Sequence, residues 1–147
     1  MSDKSLAVDA WESLFRAQVS VLRQLNAEFP SAELSFNEYD VLFNLARQPE
    51  RRLRIRDLNR HLLLTQPSVS RLVDRLVQRE LVTKESDPGD GRGTIVQLTD
   101  EGYALFRRVA VVHAESIHRR VGGALDDEEL QELARLSDKL RLNAPGY

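Results

Sequence analysis

The side chains best suited to chemistry in this sequence are Gln66, Pro67, Ser68, Ser70, Arg71 and Arg75, all within the stretch Gln-Pro-Ser-Val-Ser-Arg-Leu-Val-Asp-Arg. Short hydrogen-bonding groups come first and guanidinium groups follow one turn later. Pro67 suits a first helical turn, where a backbone N–H would lack a partner anyway. Val69, Leu72, Val73, Leu76 and Val77 recur at i, i+3, i+4, i+7 and i+8, so one side of the same helix, spanning Thr65 to Glu80, must be buried. The polar side then faces outward. Donors and acceptors at a helix N-terminus, with guanidinium groups beside them, can reach base edges and phosphates together in a DNA major groove. Asp74, expected to be buried between Arg71 and Arg75, would order those cations rather than touch an anionic ligand.

Arg92 is a candidate for a different groove. Glycines at 91 and 93 let its backbone come close to a ligand, and a narrow minor groove attracts a guanidinium. Other chemistries are poorly served. The three histidines are His61, His113 and His118. The last two are five residues apart, about 140° around a helix, and Glu115 and Asp40 would have to complete a metal set across the fold. With no cysteine there is no thiolate ligand, disulfide or thiol switch. There is also no glycine-rich phosphate loop, no nucleophile with a recognisable base and no carboxylate pair in a cleft-forming context. Neither an enzyme nor a cofactor is expected.

Charge supports a polyanion partner once it is read locally. The formal net charge is −2, yet Arg47 to Lys84 holds ten Lys/Arg against four Asp/Glu, leaving eleven against nineteen for the remainder. A basic middle between acidic ends is the distribution expected when one surface meets DNA. At 147 residues the chain is one domain's worth. It shows neither a basic segment followed by an apolar run at its beginning nor an apolar run long enough for a bilayer, so a cytoplasmic, non-membrane protein is expected.

The elements that must hold these residues can be taken in order. Trp11, Leu14, Phe15, Leu22, Leu25 and Phe29 recur at helical steps and predict a helix from about Ala7 to Phe29, ended by Pro30 and Ser31. Its stripe either packs on the chain's own core or meets a partner subunit. Leu34-Ser35-Phe36-Asn37-Glu38-Tyr39 has the form of a capping box and opens a short helix to about Ala46. Leu53-Arg54-Ile55 could be a short strand, followed by a helix over Arg56 to Leu62 and a tight connection through Leu63-Leu64, with Thr65 as the next cap. Two helices joined this way form a helix-turn-helix. Leu81 to Ser86 and Thr94 to Thr99 have strand composition around the turn-rich Asp87 to Gly93, which makes a hairpin, or wing. Thr99 caps a helix of more than twenty residues that Gly122-Gly123 stops. Asp126 and Glu129 open a last helix with a second capping box.

Three segments in this order and spacing give the chain a family resemblance. Ser68 to Val77 with Leu81-Val82, then Asp87-x-x-Asp90-x-Arg92, then Val96-x-Leu98-Thr99-x-x-Gly102 resemble the MarR family of bacterial winged-helix transcription regulators. The resemblance implies a mainly α fold with a small β-hairpin. Residues 1–147 would form a single domain, with a winged helix-turn-helix lobe at 35–99 and dimerisation helices at 1–34 and 100–147. It implies a homodimer with recognition helices in successive major grooves, about 34 Å apart, on an inverted-repeat operator of double-stranded DNA.

By position, Gln66, Pro67, Ser68, Ser70, Arg71 and Arg75 correspond to groove-facing residues, Arg92 to the wing-tip arginine, and Asp90 to the carboxylate that keeps the tip in shape. Many members bind a small anionic or aromatic effector, and Trp11, Phe15, Tyr39, Phe43, His61 and His113 are candidates to line its site. The expected function is a dimeric, sequence-specific DNA-binding regulator, a repressor relieved by such an effector. The alternatives are a winged-helix protein-interaction module without DNA binding and a metal-responsive regulator.

Overall fold

A computed structural model of the chain describes residues 2–143 apart from Leu63 and Thr65, and without the side chains of Ser2 and Gln66. In chain order its elements are α1 (Ser2–Glu28), α2 (Phe36–Ala46), β1 (Arg52–Arg54), α3 (Ile55–His61), α4 (Gln66–Gln78), β2 (Val82–Asp87), β3 (Asp90–Leu98), α5 (Asp100–Ile117) and α6 (Asp127–Leu142). A π-helical turn, His118–Gly122, extends α5. The residues divide into two units: Pro30–Val111, and the residues up to Phe29 together with those from Val112 onward. The expected lobe at 35–99 lies within the first. Among the described residues no helix is long and apolar enough to cross a membrane.

In the Pro30–Val111 unit the helices start where side chains can satisfy their first N–H groups. Ser35 Oγ accepts from Glu38 N at 3.0 Å and Glu38 Oε1 accepts from Ser35 N at 2.8 Å, the capping box read from sequence. Val41, Leu42 and Leu45 of α2, Leu58 of α3, and Val69, Leu72, Val73 and Leu76 of α4 are buried, all but Leu72 completely. Each such side chain contributes about 1.5–3 kcal/mol by leaving water, so this one core fixes which face of α4 turns outward. The Thr65 cap and the Leu63 part of the expected connection lie outside the described residues.

Helix α4 ends in a way its sequence hides. Leu81 N donates to Leu76 O at 3.0 Å and Glu80 N to Val77 O at 2.9 Å, while Glu80 takes the left-handed conformation with φ 62°. This is the paired 6→1 and 5→2 closure that glycine usually makes.

The strands form one antiparallel sheet in the order β1-β3-β2. Strand β1 is a residue earlier than the Leu53-Arg54-Ile55 expectation, because Arg54 pairs with Ile95 and also serves as the extended residue before α3. The wing strands reach further than expected: β2 runs to Asp87 and β3 begins at Asp90, leaving Pro88-Gly89 between them. Of the segment whose composition suggested a loop, Asp87 and Asp90 pair with each other across the Pro88-Gly89 turn.

The second unit contains α1, the C-terminal part of α5 and α6. Helix α1 begins at Ser2, earlier than the expected Ala7. Its first residues carry no apolar stripe, and Asp3 in the first turn suits the positive end of the helix dipole. Glu28 ties its end to the π-helical turn: its carboxylate accepts from Ser116 Oγ at 3.0 Å, Arg119 at 2.8 Å and Arg120 at 2.8 Å. Those donors hold the Glu28 carboxyl down at about 2. Helix α6 opens with the expected Asp126/Glu129 capping box.

Candidate nucleic-acid interface

The outward face of α4 is built by the core beneath it. With Val69, Leu72, Val73 and Leu76 turned inward, Pro67, Ser70, Arg71, Asp74 and Arg75 are exposed and Ser68 is half-buried. The backbone of Gln66 opens the helix. Arg71 reaches back to Ser68 Oγ at 3.4 Å, which draws a cation and a hydroxyl together near the N-terminal turn. Ser68, Arg71 and Arg75 line a depression of about 270 Å³ together with Asn37, Leu64 and Leu72.

Not every arginine of the segment is available. Arg79 donates to Glu38 Oε2 at 3.2 Å and to Glu33 O at 2.7 Å, so it fastens the end of α4 to the start of α2. Arg75, by contrast, has no carboxylate within ion-pair distance among the described residues.

Asp74 requires a correction. It is neither buried nor engaged with Arg71 and Arg75; it is exposed, and its Oδ1 lies 2.7 Å from Lys84 Nζ on β2. Facing out on the same side as the arginines, it finds the one cation that the adjoining strand brings past it. Its role is structural all the same, since it links α4 to the wing.

The wing tip is organised by two carboxylates. Asp90 Oδ1 accepts from Arg92 N at 3.1 Å. Asp87, which opens the wing motif but was given no role from sequence, is only 5% exposed. Its Oδ1 accepts from Gly89 N at 2.9 Å, closing the turn, and its Oδ2 sits 2.7 Å from Arg54 Nε on β1. The register jumps here, with Ser86 opposite Thr94 but Asp87 opposite Asp90. Residues 91 to 93 are thereby left out of the ladder, and Arg92 is exposed at their centre.

The other candidates are distributed between the units. Tyr39 and Phe43 belong to the Pro30–Val111 unit, where both rings lie against Phe106, at 5.4 and 6.3 Å. His61, in that unit, is exposed and offsets part of the burial that raises the Asp40 carboxyl above its usual range. In the second unit Trp11 and Phe15 are 5.7 Å apart and both exposed. His113 is buried edge-on to Phe29 at 5.2 Å, and burial lowers its pKa. Among the described residues no three His, Asp or Glu side chains come close enough to hold a metal.

Sequence reasoning gave no role to Asn37, Arg54, Asp87 and Arg79. Asp87 carried a signal, because an aspartate before Pro-Gly favours closing a turn with its own side chain. Arg54 and Arg79 act through partners more than twenty residues away, and Asn37 joins the depression only where the fold sets α2 beside α4, none of which spacing reveals.

A helix with outward polar and cationic groups, followed at once by a hairpin with an arginine at its tip, is the arrangement of a winged helix-turn-helix of the DNA-binding regulator class. Comparison with known proteins agrees. A model of the MarR family matches residues 32–93. The chain is 28% identical over 147 residues to the HTH-type transcriptional regulator MhqR of Bacillus subtilis, spanning 100% of this chain and 98% of that one. It is 30% identical over 125 residues to the HTH-type transcriptional regulator PecS of Dickeya dadantii, 84% of this chain and 75% of that one. Its fold matches Sco3205, a MarR family regulator from Streptomyces coelicolor solved in complex with DNA. There the TM-score is 0.80 and the identity 27%, covering 100% of this chain and 93% of the other. The chain belongs to the MarR family.

Proposed function

We propose that the protein is a homodimeric repressor that binds an inverted-repeat operator through Gln66, Pro67, Ser68, Ser70, Arg71 and Arg75 in the major groove. Arg92, shaped by Asp90, enters the minor groove beside it. The observation that carries this reading is the outward face of α4, where Ser70, Arg71 and Arg75 stand exposed opposite the buried Val69, Leu72, Val73 and Leu76. Support for the dimer comes from apolar side chains left in water: Trp11, Phe15 and Leu22 on α1, and Leu133, Leu136 and Leu140 on α6, are 38–59% exposed. A second copy covering them would gain roughly 25 cal/mol for each Å² of apolar surface buried.

Relief by a small aromatic or anionic effector is part of the proposal, with Trp11, Phe15, Tyr39, Phe43, His61 and His113 as candidate contacts. A cytoplasmic location follows from work on chromosomal DNA.

The test is selection of a duplex from a random-sequence pool, followed by fluorescence anisotropy across a salt series. Arg71→Ala and Arg75→Ala should each cost about 1–3 kcal/mol where the contact is to a base, with lost discrimination, and act evenly on all sequences where it is to phosphate. Undiminished binding in both variants refutes this face. Sedimentation should give twice the chain mass, and a panel of small aromatic carboxylates should release the duplex.

A further inference from the structure

The wing carries a feature that neither groove contact explains. Asp87 lies nearly buried at the base of the tip, with Arg54 Nε 2.7 Å from its Oδ2. No hydrogen bond to Oδ2 is aligned among the described residues, so the contact is charge against charge. The other oxygen holds the Pro88-Gly89 turn through Gly89 N. On the opposite strand, a Cβ at Gly93 would come within 3.1 Å of Asp87 Cβ and 3.3 Å of Asp90 O. Asp87 therefore closes the turn before the three residues that leave the ladder and carry Arg92, and lies beside Gly93 so closely that no side chain fits between them. Arg54 is the last residue of β1, paired with Ile95 and immediately preceding α3. The helix-turn-helix and the wing tip are joined at this ion pair.

We infer that Arg54 is a positioning residue for DNA binding: through Asp87 it sets where the Gly91-Arg92-Gly93 tip stands relative to the recognition helix. The inference rests on the reading of Arg92 as a DNA contact. A two-stranded tip with three residues out of register has many conformations of similar energy. An anchor at its base reduces the number that must be lost when Arg92 meets the groove. Asp87 provides a test of sign. Removing a carboxylate near a polyanion should strengthen binding by electrostatics alone, whereas removing the anchor should weaken it.

The experiment measures anisotropy of the selected duplex with Arg92→Ala, Asp87→Asn, Arg54→Met, Arg54→Lys and the double variant Arg54→Met/Arg92→Ala. Thermal melts confirm that each variant is folded at the assay temperature. Arg92→Ala should lose about fivefold or more in affinity and lower the steepness of the log–log salt dependence by about 0.9. Asp87→Asn and Arg54→Met should each weaken binding by about threefold or more. Arg54→Lys, which keeps the charge, should recover at least half of that loss. The double variant should bind no worse than Arg92→Ala, because a positioning residue has nothing to position once the arginine is gone.

Asp87→Asn binding as well as the wild type, or better, overturns the inference. So does an Arg54→Met penalty retained in full in the Arg92→Ala background, since Arg54 would then act on DNA or on folding by itself. An unaffected Arg92→Ala variant instead removes the wing contact from the proposed function, and the positioning role with it.

Discussion

Gly102→Ala sets two effects against each other and asks which is larger. Gly102 is the third residue of α5, so helix propensity alone favours alanine by about 1 kcal/mol. The surroundings argue the other way. A Cβ at this position would lie 2.0 Å from Leu81 O and 2.9 Å from both Leu81 C and Leu98 Cδ1, against 3.4 Å or more for ordinary contact. The obstructing carbonyl cannot simply turn aside. It accepts from Thr99 N at 3.1 Å, and Thr99 Oγ1, which accepts from Gly102 N at 2.9 Å, shares its one proton between Glu80 O at 2.8 Å and Leu81 O at 3.0 Å. Relieving an overlap of more than an ångström moves the Leu81 carbonyl and Thr99 together, which costs about 1–3 kcal/mol of overpacking plus about 1 kcal/mol for the lost Thr99 cap. After the propensity gain is subtracted, destabilisation by about 1–3 kcal/mol remains. For a chain of this size that lowers Tm by roughly 3–9 °C. Circular dichroism melts at fixed protein concentration measure it, with Gly91→Ala as the control, since a Cβ there meets nothing within 4 Å. A Gly102→Ala protein that melts with the wild type or above it would refute the steric argument.

Two further outcomes follow from backbone conformation and charge. Glu80 holds a left-handed conformation that costs a non-glycine residue about 1 kcal/mol. Glu80→Gly should accordingly raise stability by about that much, and a fall in the denaturation midpoint would count against it. The Glu28 carboxyl is held near 2, below its ordinary 4.5, by Arg119, Arg120 and Ser116. A depressed carboxyl stabilises the fold above its unfolded value and stops doing so as pH falls through the folded one. The stability lost by Glu28→Gln should thus be full at neutral pH and shrink between about pH 4.5 and pH 2; a loss independent of pH would exclude the carboxylate's charge as its cause.

The legible parts of this molecule are those whose cause is local. Helical periodicity gave the buried face of α4 because it places Val69, Leu72, Val73 and Leu76 on one side whatever lies beneath. The capping boxes at Ser35 and Asp126 were readable because donor and acceptor are three residues apart. The motif Leu98-Thr99-x-x-Gly102 was visible as a pattern, but its reason was not. The threonine and the glycine both serve the carbonyl of Leu81, which lies on the far side of the whole wing. Asp74 failed for the same kind of reason. Its nearest cations in sequence are Arg71 and Arg75, yet the strand that follows α4 carries Lys84 past it at 2.7 Å.

Charge partners therefore form the layer that sequence conceals, and here that layer governs which cations remain for DNA. Of the arginines in and just after α4, Arg79 is held by Glu38 and Glu33, Arg71 leans on a serine, and Arg75 has no ion-pair partner among the described residues. Spacing treats the three alike. Only the return of α4 against the start of α2 distinguishes the arginine that holds the lobe together from those that can leave it for a phosphate or a base.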